Sequence, residues 1–259
     1  MSNIRQTGDS ITIRSFGVTF AYGRNVLPHQ AVPPRALDWH KLIYATRGVL
    51  DVHTVQGVWV APPHRAVWIS ARIDFRVEMH GTVALRALYL KTGRRFFPGA
   101  TRTCAVVNVS PLLRELILRT VEIGALDSKI ATQARLAAVI FDELRALAAQ
   151  PLQLPAPRDP RAARFAALAS NAGLSITKML RESGASRRTL ERIFRDQTGM
   201  SLGQWLRRQK LLEALRRLAA GDAVNSVAFD LGYNGASAFI AMFRRELGQT
   251  PARYFDSPR

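Results

Sequence analysis

At 259 residues the chain is long for one core and suits two, and a 47% hydrophobic content excludes wholesale disorder. The formal charge of +18, from 37 basic against 19 acidic residues, favours polyanionic partners, yet 32 of the basic residues are arginine and the excess divides as +9 up to Pro157 and +9 beyond. A single cysteine (Cys104), a polar opening (MSNIRQTGDS) and no apolar run near the roughly 18 residues of a membrane span argue against disulfides, a secretory leader and a membrane partner, and predict a cytoplasmic protein.

From about Ile11 to Val109, short apolar runs are broken by Gly and Pro. Leu42–Ala45, Val49–Val55, Val58–Val60, Ala66–Ile69, Phe75–Met79, Leu85–Leu90 and Ala105–Val109 read as strands, with turns at Arg47-Gly48, Gln56-Gly57 and His80-Gly81. Phe75, Val77 and Met79 alternate with Arg76, Glu78 and His80, the period of a strand with one buried face. Many short strands in succession predict a sandwich or small β-barrel.

After Ser110 the period becomes helical. Ser110-Pro111 is an N-cap followed by the first helical position, and Leu112, Leu113, Leu116, Ile117 and Val121 share one face. A second helix is predicted from Ser128 to Ala149. Its Ile130, Ala134, Ala137, Phe141, Leu144 and Ala148 recur like a coiled-coil seam, which either packs on the chain's own strands or joins two copies. Pro151, Pro155, Pro157 and Pro160 make Gln150–Pro160 an extended linker. The predicted architecture is α+β in two domains: a β-barrel over residues 1–109, a helical coupling or dimerisation segment over 110–149, the linker over 150–160, and an all-α domain over 161–259.

That last part repeats itself. Leu190, Phe194 and Gly199 recur 49 residues later as Phe239, Phe243 and Gly248, while Leu180 and Gly184 match Ala228 and Gly232 at an offset of 48. Two copies of one unit, joined by a long helix around Leu202–Leu218, account for this. Within the first copy, Thr177–Ser183 ends at Gly184, a residue free to take positive φ, and Ser186 caps the next helix. Leu190, Ile193 and Phe194 form the buried stripe of that second helix. Arg187, Arg188, Thr189, Glu191, Arg192 and Arg195 remain to meet double-stranded DNA, where arginine reads guanine through paired hydrogen bonds. Trp205 and Tyr254 read as packing groups.

The run from Ser186 to Phe255 resembles the C-terminal signature of the AraC/XylS family. The matching marks are Ser186, Leu190, Arg192, Phe194, Gly199, the Arg208–Leu212–Ala214–Leu218 helix, Ala228, Gly232-Tyr233, Ser237, Phe239, Phe243, Gly248 and Thr250-Pro251. The resemblance covers roughly Arg161 to Phe255. It implies a transcription regulator rather than an enzyme, acting as a homodimer on paired sites. It also implies two helix-turn-helix units in successive major grooves, with Arg188, Glu191 and Arg192 reading bases and Arg187 on phosphate. In the second copy Ala241 stands where the family usually has arginine, and Gly235-Ala236 replace polar contact residues. Ser237 and Ile240 remain as contacts, so this unit is expected to position more than to read.

The segment GVLDVHTVQGVWVAPPHRAVWISARIDFRVEMHGTVALRALYL is similar to the cupin barrels that precede such domains in one subgroup. Positions aligned with cupin metal ligands hold Arg35, Leu37 and Phe75, and His29, His40, His53, His64 and His80 form no i, i+2 pair. No metal, no cofactor and no cupin enzyme is therefore expected. The barrel is expected to hold a small organic effector near Arg35, Tyr44, Trp68 and Phe75, unless these are ordinary core. Its state would pass through the helices at 111–149 and the proline linker.

Overall fold

Runs rich in Val, Ile, Tyr and Trp pair into two antiparallel sheets in the computed structural model, which describes residues 19–26, 39–91, 104–147, 149–150, 152–170 and 174–255. Eight strands come first: β1 (Thr19–Val26), β2 (Trp39–Ala45), β3 (Val49–Thr54), β4 (Gly57–Ala61), β5 (Arg65–Ile69), β6 (Arg76–His80), β7 (Val83–Lys91) and β8 (Cys104–Asn108). Helix α1 (Pro111–Ile123), strand β9 (Ala125–Leu126), helix α2 (Ala131–Arg145) and strands β10 (Ala149–Gln150) and β11 (Gln153–Pro155) follow. The seven-stranded sheet has the order β10-β8-β5-β2-β7-β1-β9, and the four-stranded sheet β11-β4-β3-β6. Strand β1 escapes the hydrophobic pattern because Gly23, Arg24 and Asn25 interrupt it.

Side chains alternate across each strand, so each sheet has two distinct faces. From the larger sheet Ile43, Ala45, Val67, Ile69 and Val106 enter one buried cluster with Leu50, Val52, Trp59, Val77 and Met79 of the smaller sheet. The opposite face of the larger sheet presents Leu42, Tyr44, Ala66, Trp68, Leu88, Leu90 and Val107 to Leu113 and Ile117 of α1 and to Ala137, Ile140, Phe141 and Leu144 of α2. The seam residues Ala137, Phe141 and Leu144 are thus turned onto the chain's own sheet, whereas Ile130 is exposed. Ser110 accepts a hydrogen bond from the Leu113 amide and opens α1 with Pro111 in its first turn.

The proline-rich segment contributes edge strands. Strand β10 pairs with β8 and β11 with β4, and Pro155 sits opposite Gly57, an edge position where its missing N–H costs no ladder bond. Helices then follow in succession: α3 (Pro160–Ala169), α4 (Ile176–Ser183), α5 (Arg187–Thr198), α6 (Leu202–Ala220), α7 (Val224–Asp230), α8 (Ala236–Leu247) and α9 (Pro251–Phe255). Asp159, Ser175, Ser186 and Ser201 cap α3 to α6 with their side chains, Ser201 within a reciprocal capping box with Gln204.

Each helix pair is built around aromatic contacts. Phe194 of α5 meets Phe165 and Trp205 edge-on, with ring centroids 6.0 and 5.1 Å apart. In the later pair Tyr233, Phe239, Phe243 and Tyr254 form a continuous run of ring contacts. The Trp205 indole N–H also donates to the Pro155 carbonyl at 2.9 Å, tying α6 to the strand segment before it. Among the described residues no helix is long and apolar enough to cross a membrane.

Gly57 holds the β11 edge in place: its φ is +138° and a Cβ there would lie 2.3 Å from the Leu154 carbonyl oxygen. Gly57→Ala is expected to displace β11 and lower the unfolding free energy by about 2 kcal/mol, measured by urea denaturation.

Candidate nucleic-acid interface

The second helix of the first pair owes its direction to Gly184 and Ser186. Gly184 ends α4 in the left-handed conformation, with φ of 69°. Ser186 then accepts from the Thr189 amide, and its hydroxyl lies 2.9 Å from that of Thr189. Leu190, Ile193 and Phe194 are buried beneath α5. The outward side carries Arg187, Arg188, Arg192 and Arg195, which together with Glu191 and Asp196 line a shallow open surface. Arg187, Arg188 and Arg195 are exposed and form no ion pair among the described residues. Arg192, with 70% of its side chain exposed, reaches Asp196 at 3.5 Å, a contact that water and salt screen readily.

Two of the sequence candidates have structural partners. Thr189 is half-buried and its hydroxyl belongs to the cap. Glu191 is also half-buried, and its carboxylate accepts from the Leu202 amide at 3.1 Å, at the start of α6. A carboxylate suits the positive end of a helix, so Glu191 braces α5 against α6.

The second pair is differently equipped. Gly235 precedes α8 with no capping side chain, and the first turn is Ala236, Ser237 and Ala238. Ser237 is exposed and Ile240 half-buried. Arg244 and Arg245 stand in the last turn, at the opposite end of the helix. Arg217 of α6 holds this unit, donating to Asp222 at 2.6 Å and pairing with Asp230 at 2.8 Å.

The three described residues of the expected effector pocket are not brought together on one face. Tyr44 and Trp68 lie on the helix-covered face of the large sheet, Phe75 lies on the intersheet side, and Arg35 falls outside the described residues. Beside Phe75 stands a residue the sequence reading passed over. Lys41, 1% exposed, places its ammonium 4.6 Å from the centre of the Phe75 ring, with no hydrogen-bond partner among the described residues. Lys41, Ile69 and Cys104 are directly paired across β2, β5 and β8 and so share a face. Burial lowers the Lys41 pKa to about 8, and burial pushes the Cys104 thiol up to about 12. The signal was there: a lysine in step with Ile43 and Ala45 inside an apolar strand. Among the described residues no three His, Cys, Asp or Glu side chains gather as a metal site.

A family described as a helix-turn-helix domain matches residues 179–257. The chain is 32% identical over 217 residues to the HTH-type transcriptional regulator NimR of Escherichia coli (strain K12), spanning 83% of this chain and 78% of that protein. It is 37% identical over 82 residues to the regulatory protein SoxS of Salmonella typhimurium (strain LT2), spanning 31% of this chain and 77% of that one. Among solved structures, the DNA-binding domain of AdpA in complex with a target DNA shares 35% identity over 38% of this chain and 90% of that domain, at a TM-score of 0.33.

Two outcomes follow from these side-chain environments. Glu191→Ala is expected to cost about 1–2 kcal/mol of stability in urea unfolding, because the α6 amide loses a charged acceptor. Lys41 has a folded pKa of about 8 against an ordinary 10.5, so the unfolded chain binds more protons between those values and native stability rises with pH across that window. Lys41→Met is expected to abolish this rise, read from melting temperatures between pH 7 and 10.

Proposed function

This chain belongs to the AraC family of helix-turn-helix transcription regulators, and we propose that its two helix pairs divide the work of holding one DNA site. It is a DNA-binding regulator. Helices α4–α5 form a helix-turn-helix unit whose second helix enters a major groove and reads bases with Arg188 and Arg192, while Arg187 and Arg195 meet phosphates. Helices α7–α8 form a second unit that mainly sets position, through Ser237 and Ile240. The observation that carries this reading is the outward face of α5, where four guanidiniums stand over a buried apolar stripe. A first turn of small uncharged residues supports the lesser role of α8.

The N-terminal sheets are read as a cupin-like barrel over residues 1–109 that holds a small organic effector. The intersheet position beside Phe75 and Lys41 is the place for it, since Tyr44 and Trp68 belong to the packing of α1 and α2. A buried ammonium without a hydrogen-bond acceptor favours an effector bearing a carboxylate or similar anion. The chain acts as a homodimer on paired half-sites, and the exposed Leu112, Ile130 and Val139 of the 110–149 segment supply apolar surface for the contact. Residues 150–160 connect this sensor part to the DNA-binding part at 161–259.

Sequencing the fragments retained by the purified chain from genomic DNA yields its operator. Arg192→Ala is then expected to lose about 1–3 kcal/mol of discrimination at the base it reads, while weak binding to bulk DNA persists. A footprint with unchanged sequence preference would remove α5 as the reading helix.

A further inference from the structure

Period-two alternation gives β6 two faces with different tasks. Phe75, just before the strand, Val77 and Met79 point between the sheets, and Phe75 lies under the Lys41 ammonium. Arg76, Glu78 and His80 point the other way, paired across the ladder with His53, Asp51 and Val49 of β3. That second face is open to solvent at Arg76 but covered toward Asp51 and His80. Helix α6 lies across it and touches β3, β6 and β11.

The contact is centred on a buried charge. Asp51 is 2% exposed, and one of its oxygens accepts from Arg216 Nε of α6 at 2.6 Å. His80 Nε2 stands 3.2 Å from the same oxygen, at ion-pair distance but off hydrogen-bond geometry. Arg216 also donates to Glu213 at 3.1 Å, one turn back on α6. Burial pushes the Asp51 carboxyl up, but the Arg216 guanidinium and the facing His80 ring outweigh it and leave the pKa below its ordinary value. A buried ion pair adds little net stability and tolerates few geometries, so its effect is to fix one register of α6 on the sheet. Gly81 adds a steric requirement: at φ of +73°, a Cβ there would lie 2.2 Å from the Ala219 carbonyl oxygen of α6.

Helix α6 also carries both helix pairs, through Glu191 and Trp205 at its start and Arg217 near its end. By contrast, the apolar cluster beneath α1 and α2 contains no residue beyond Leu147. We propose that the Asp51–Arg216 pair on the β3–β6 face is the latch that couples the intersheet core around Phe75 and Lys41 to the DNA-binding half. An occupant beside Phe75 and Lys41 shifts β6, and the outward side of the same strands passes that shift to α6 and hence to α5 and α8. This rests on the effector-responsive reading above. It replaces the route through the 111–149 helices and the proline linker with direct contact.

Coupling between two sites is reciprocal, so it can be read from the DNA side with no effector in hand. The test measures amide hydrogen exchange of the full chain with and without the operator duplex. Binding is expected to change exchange in β3 and β6 by about fivefold or more, the low end of ordinary allosteric coupling. Gly81→Ala and the double variant Asp51→Leu with Arg216→Met are expected to lose that change while still binding the duplex. The double variant replaces both charges with apolar groups and so keeps the fold even where Asp51→Asn alone does not. Exchange in β3 and β6 that ignores DNA in the native chain, or a change that survives in both variants, overturns the latch. A native chain that prefers no duplex over bulk DNA overturns the regulator reading instead.

Discussion

Helix α6 must be buried against three neighbours at once, and the arrangement of the whole chain depends on how that is met. Leu202, Trp205, Gln209, Leu211, Leu212, Ala214 and Leu215 are all buried, which leaves the helix with no clean polar face. Each buried leucine stabilises by about 1.5–3 kcal/mol relative to exposure, so every neighbour is held mainly by apolar contact. The polar contacts then decide register: Glu191 at its first turn, Arg216 on the sheet, Arg217 on the second helix pair.

The arginine surplus acquires meaning only from this arrangement. Arg216 and Arg217 are spent inside the molecule, facing Asp51, Asp222 and Asp230. Arg145 and Arg161 pair locally with Asp142 and Asp159 on exposed surface, where such contacts contribute little. Among the described residues Arg187, Arg188 and Arg195 have no such partner, and Arg192 only a long one, so the outward side of α5 presents positive charge that no carboxylate closely answers.

The sheets show the same economy of position. Strand β6 offers its apolar side to the interior and its polar side to α6, so one backbone segment borders both the candidate ligand space and the DNA-binding half. Lys41 and Asp51, the buried charges on the two sides, differ in kind. Asp51 is answered by a guanidinium across the interface, whereas the Lys41 ammonium stands over the face of Phe75 and near Cys104.

Much of this was legible in the residues themselves. The seven apolar runs, the Ser110-Pro111 and Ser186 caps, the Gly184 turn and the Leu190–Phe194 stripe are set by contacts a few residues apart, and local physics suffices to read them. The duplicated helix pairs follow from spacing alone, and outward arginines follow from the inward stripe between them. Which polar groups would be enclosed could not be read this way. Glu191 looks like a DNA contact until α6 arrives at its carboxylate; Tyr44 and Trp68 look like pocket residues until two helices cover them. His80, on the polar side of β6, looks solvent-facing until Arg216, far along the chain, reaches Asp51 on the strand beside it. Burial of a charge depends on what packs over it from distant sequence, and only the tertiary structure decides that.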